Sequence, residues 1–137
     1  MNDNSTPYLS CEYDRQIIKA TPFYENFHNS AIDLVKTVNP SPTKWLDTGC
    51  GTGTFVQKAL SEFAETEFFL ADPSKSMIEI ARKVSDNVFE TGTSQLNFPQ
   101  ENFDVITAIL SHHFMNQDER RLSTEKSFLP VKAADLF

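Results

Sequence analysis

Three of the four glycines in this sequence of 137 residues fall within five positions, in the run Asp47-Thr48-Gly49-Cys50-Gly51-Thr52-Gly53. Glycine permits positive φ and lets a ligand approach bare backbone. Between a strand and a helix, such a cluster reads as a binding loop rather than a tight turn. A dinucleotide fingerprint is GxGxxG, but Thr54 stands where its third glycine belongs. Two residues before the first glycine lies Asp47. Beside a pyrophosphate that carboxylate would be repelled, at about 4 kcal/mol for charges ~4 Å apart in an effective dielectric of ~20. A ligand bearing a sulfonium and an ammonium would be attracted instead, and S-adenosylmethionine bears both. The charge selects a methyl donor.

A second carboxylate, Asp72, follows the run EFFLA and lies 19 residues beyond Gly53. That is close to the spacing of an acidic residue that accepts hydrogen bonds from ribose hydroxyls. Its alternative role is to cap the helix that opens at Pro73 or Ser74. Farther on, Ser111-His112-His113 follows an apolar run. Open α/β sheets place their ligand crevice at the ends of such strands. His113 could orient an acceptor or take its proton there, since imidazole titrates near neutral pH. The alternative is a packed or capping histidine. Neighbouring histidines on one strand do not face one metal ion, and Cys11 and Cys50 lack ligand spacing. No metal site is expected.

These residues need elements to hold them. Residues 1–10 read as a flexible tail and residues 11–42 as a helical lid or cap, broken near Thr21-Pro22. Ala31, Leu34, Val35 and Val38 fall at helical spacing and predict its buried stripe. Asn39-Pro40-Ser41-Pro42 ends the helix. Residues 43–137 then alternate strand and helix. Strands are expected at 44–47, 67–71 and 87–90, and helices are marked by Val56, Ala59, Leu60 and Phe63 and by Met77, Ile80, Ala81 and Val84. Phe103 to Leu110 reads as a parallel strand buried on both faces, and residues 118–129 as a helix. Alternation of this kind predicts an α/β, Rossmann-like, doubly wound parallel sheet.

Bulk composition narrows the partners. The formal net charge of −7 disfavours a polyanion such as a nucleic acid. No apolar run approaches the ~20 residues of a membrane span, and the polar start MNDNSTPYLS has no secretory character. A cytoplasmic setting is expected.

In four ordered segments the sequence resembles the class I methyltransferase superfamily, in its small-domain branch. They are LDTGCGTGT, ADPSKSMIEIAR, FETGTSQLNF and NFDVITAILSHHF. The resemblance implies methyl transfer from S-adenosylmethionine to a small-molecule acceptor, or cofactor binding without catalysis. It implies that Asp47, Gly49, Cys50 and Gly51 surround the methionine moiety and that Asp72 binds the ribose. Pro73 and Met77 would lie against adenine. Thr93 and Ser94 stand where the family usually has Asp-Ala, and Ala108 and Leu110 would line the methyl end. His113 occupies the place of a substrate-facing histidine. The family's complete sheet has strands in the order 3-2-1-4-5-7-6, so the chain reads as an incomplete domain, about strands 3-2-1-4. With only Ala133 to Phe137 left to cover strand four, a homodimer through the exposed sheet edge is expected.

Overall fold

The computed structural model describes residues 3–99 and 101–132. Two helices lead, α1 (Ser10–Ala20) and α2 (Tyr24–Val38), separated at Thr21-Pro22 by Phe23 in a left-handed conformation. Strands and helices then alternate as β1 (Lys44–Thr48), α3 (Thr54–Leu60), β2 (Glu67–Asp72), α4 (Lys75–Ala81), β3 (Val88–Glu90), β4 (Val105–Thr107) and α5 (Gln117–Phe128). All pairings are parallel, in the order β3-β2-β1-β4. The expected doubly wound sheet is what forms, with β1 in its interior and its cleft at the carboxyl ends of the strands.

Alternation along β1 sets the two faces of the core. Trp45, fully buried, packs against Phe55, Phe63 and Phe68 with ring centroids 5.3–5.8 Å apart. Ile32, Val35, Val56, Ala59, Ile78 and Ala81 complete this layer from the helices. Leu46 points to the opposite face, where Ala71, Leu96 and Phe103 meet Phe69 and Phe98. Of the expected helix residues, Leu60, Ile80 and Val84 are only half-buried, and Phe55 and Ile78 take deeper places.

Two expectations are corrected. In α2 the buried residues are His28, Ile32 and Val35, at i, i+4 and i+7, whereas Leu34 and Val38 are 64% and 71% exposed. The stripe is rotated because a histidine, skipped as polar, belongs to the inner face. The fourth strand is also shorter than the run 103–110 and is half-buried rather than enclosed. It is the outer strand, and Asp104 bends the chain at its start. That carboxylate accepts hydrogen bonds from the amides of Thr43 and Lys44, both at 2.8 Å, and from Lys132 at 2.7 Å.

Beyond β4, Phe103 bridges Val131 in parallel, with its amide donating to Pro130 and its carbonyl accepting from Lys132. Residues 130–132 thus run alongside Phe103, just before β4. Ala133 to Phe137, on which the sequence reading left the rest of that edge, lie outside the described residues.

Candidate functional site

Asp47 is next to last in β1 and Asp72 is last in the adjacent β2, so parallel pairing brings their carboxylates to one rim of the sheet. Between them the glycine loop passes with φ of +67° at Gly49 and +56° at Gly51, a region L-residues resist. A Cβ on Gly49 would come within 2.3 Å of Ser111 Cβ, which fixes how closely the loop meets the chain after β4. A Cβ on Gly51 would have only Tyr13 nearby, at 3.9 Å, and would project into the cleft. The first glycine serves packing and the second leaves the cleft open.

Asp47 is 3% exposed. Its Oδ1 accepts a 2.6 Å hydrogen bond from Thr107, whose hydroxyl oxygen in turn accepts from Trp45 Nε1 at 3.0 Å. Burial pushes the carboxyl up to about 7, the Thr107 bond pulls it down, and the charge of Asp72 adds to the rise. Asp72 accepts from the amide of Gly51 through one oxygen and of Ser74 through the other, both at 2.9 Å. Burial raises its pKa as well, against those two bonds. Two buried acids face one cleft, with no basic side chain between them among the described residues. Burial favours the neutral form of both acids, and a bound cation would favour the charged form.

The cleft has a volume of about 370 Å³. Gly49, Cys50, Gly51, Asp72, Pro73, Met77, Thr93, Ser94 and Leu110 all line it together with Asp47. The Cys50 thiol is buried and its pKa is raised by burial and by both carboxylates. The Thr93 hydroxyl is committed to Thr48 at 2.6 Å and is 1% exposed. Ala108 does not join the others; it is exposed, and Ile109 lines the cleft beside Leu110 instead. His113 is also exposed and stacks on Phe114, with ring centroids 3.9 Å apart, outside the lining. In its neighbour His112 the Nε2 is buried and has no partner among the described residues, and burial lowers its pKa. The Ser111 hydroxyl is likewise buried with no partner among the described residues, and Ser111 lines the cleft.

The residues that close the cleft from the N-terminal side come from the segment read as a lid or cap and from the stretch before it. Asp14 accepts from the Thr52 and Thr54 hydroxyls at 2.6 and 2.9 Å, tying α1 to the glycine loop. Asp3 accepts from the Ser74 hydroxyl at 2.7 Å, the Ser76 amide at 3.1 Å and the Ser76 hydroxyl, at the start of α4. Tyr13, Tyr24 and His28 supply an aromatic wall. Tyr24 and His28 are four residues apart on one helix face, a spacing the sequence contains. Asp3 gave no signal, because its partners are 71 and 73 residues away. Arg15 points away and pairs with Glu12 at 3.2 Å.

Known proteins agree with this architecture. The family profile described as a methyltransferase domain matches residues 46–127. No curated protein matches the chain. Among solved structures, DesVI of Streptomyces venezuelae is 18% identical, with a TM-score of 0.74 over 94% of this chain and 55% of its own. The sugar N-methyltransferase KedS8 of a Streptoalloteichus species is 15% identical, with a TM-score of 0.75 over 98% of this chain and 53% of its own. CalS10 of Micromonospora echinaspora, an amino pentose methyltransferase solved with S-adenosylmethionine bound, is 17% identical, with a TM-score of 0.69 over 93% and 53%. The chain spans about half the length of these structures. The profile covers both carboxylates, the glycine loop and the end of β4, and this chain belongs to the methyltransferase-domain family.

Proposed function

We propose that the cleft binds S-adenosylmethionine and that the domain takes part in transferring its methyl group to a small-molecule acceptor. The observation that carries this reading is Asp47, a buried acid raised to about 7 and lacking a counter-cation, beside a glycine loop whose middle residue leaves the cleft open. The donor set fits a sulfonium-bearing amino acid joined to a nucleoside. Asp47 would balance its positive charge, with the backbone at Gly49, Cys50 and Gly51 along the methionine moiety. Asp72 has two acceptor oxygens for a diol. Pro73 and Met77 offer apolar surface to adenine beside Ser94. Thr93, with its hydroxyl given to Thr48, supports the floor rather than reaching out. Leu110 and Ile109 flank the other end. When bound, the cofactor supplies an electrophilic methyl group, so the protein's own work is to position the acceptor and exclude water.

A second reading, cofactor binding without catalysis, is favoured by one observation. His113, the catalytic candidate from the sequence, is exposed and outside the cleft. Equilibrium binding of S-adenosylhomocysteine, followed by incubation with methyl-labelled cofactor and a metabolite extract, separates the two. Binding with labelled product supports transfer. Binding without product supports the second reading, and no binding overturns both.

A further inference from the structure

The chemistry of the lining also bears on the acceptor. Four carboxylates line the cleft, those of Asp3, Asp47, Asp72 and Glu119, and among the described residues no lysine or arginine does. Asp3 is held by Ser74 and Ser76, and one oxygen of Glu119 accepts from the Asn116 amide at 3.2 Å. Neither arrangement cancels their charge. With a cofactor of net charge +1 in place, negative charge remains in surplus. A phosphate or carboxylate acceptor would enter against that field with no cation to receive it.

His28 adds an independent observation. It is 4% exposed and lines the cleft. Tyr24 and Phe55 hold it edge-on, with centroids 4.8 and 5.4 Å away. Burial, with Lys58 in support and Glu25 opposing, lowers its pKa and favours the neutral ring, in which one nitrogen is a hydrogen-bond acceptor. An imidazole acceptor lining a negative cleft between two aromatic rings suits an ammonium group. The N–H can donate to the imidazole, while the ring faces of Tyr24 and Phe55 attract the cation. A hydroxyl acceptor would use the lone pair but gain nothing from the surplus charge.

Resting on the methyl-transfer reading above, we propose that the acceptor carries a protonatable amine, seated against Tyr24, His28 and Phe55. The test is calorimetry on the full chain, first with S-adenosylhomocysteine and then, on the loaded chain, with phenethylamine, phenethyl alcohol and phenylacetate. Phenethylamine is expected to bind at least about ten-fold more tightly than either analogue, or ~1.4 kcal/mol. His28→Gln should lower amine affinity more than cofactor-product affinity, and Glu119→Gln, at the exposed rim, should narrow the preference for amine over phenylacetate. Equal or tighter binding of the alcohol or the carboxylate overturns the proposal. Failure of S-adenosylhomocysteine itself to bind overturns the reading beneath it.

Discussion

The two sides of β1 are built differently. Toward β2, five residue pairs run in register, and Leu70 and Ala71 are fully buried. Both acids and the glycine loop sit at this end. Toward β4 only three pairs form, and Val105, Ile106 and Thr107 are all half-buried. Here two expected site residues, Ala108 and His113, fall outside the cleft. Where strands are flanked on both sides, residue type and spacing decide where a side chain goes, because the backbone has no other way to satisfy its polar groups. At an edge, direction depends on whatever packs next.

Substitutions can break this contrast or sharpen it. Trp45→Ala should have the largest effect, about 3–5 kcal/mol in urea unfolding, because four buried aromatic rings meet there. Val105→Ala, at the start of β4, should cost clearly less, and equal losses would erase the distinction between the two sides. Gly51→Val should abolish binding of S-adenosylhomocysteine while leaving the circular-dichroism spectrum native, since its Cβ meets the cleft rather than the core. Retained affinity would mean the loop is only a turn.

Asp104→Ala should cost about 1–2 kcal/mol, the loss of charge-assisted hydrogen bonds that join β1 to β4. Partial burial favours the protonated form of this acid. Lys132 and the amides of Lys44 and Thr43 outweigh that and hold it at about 2, below its unfolded value. Its stabilising contribution is therefore present above about pH 4 and lost as pH falls toward 2. Acid unfolding of Asp104→Ala should lack that component. His113→Ala should be the smallest change, within about 0.5 kcal/mol and without effect on cofactor affinity, as expected of an exposed ring. A large loss of affinity would return His113 to the site.

The sequence made the sheet legible because each element is marked independently: prolines at 40 and 42, glycines at 49, 51 and 53, and Pro73 before α4. The binding half of the site followed, since strand ends and positive φ fix it through backbone geometry. What stayed hidden depends on tertiary neighbours. His28 belongs to a buried face that an apolar pattern cannot reveal. Asp14 and Asp3 act on partners 38 or more residues away. The orientation of Ser111-His112-His113 turns on Leu110, which takes φ +53° and redirects the chain after β4. No residue-type rule demands that conformation of a leucine.

Asp47 is a buried acid raised to about 7, and proton linkage tests directly whether a cation displaces its proton. With its folded pKa raised to about 7, the native chain binds more protons than the unfolded chain between about pH 4 and 7. Stability from this group therefore falls as pH rises through that window, and Asp47→Asn should remove the slope. S-adenosylmethionine should be titrated at pH 7 in two buffers of different ionisation enthalpy. Its positive charge should lower the Asp47 pKa, release a fraction of a proton, and make the observed heat differ between buffers. Affinity should rise from pH 6 to pH 8, and Asp47→Asn should lose about 1–3 kcal/mol of binding together with the buffer dependence. Equal heats in both buffers, with undiminished affinity in Asp47→Asn, would contradict the account.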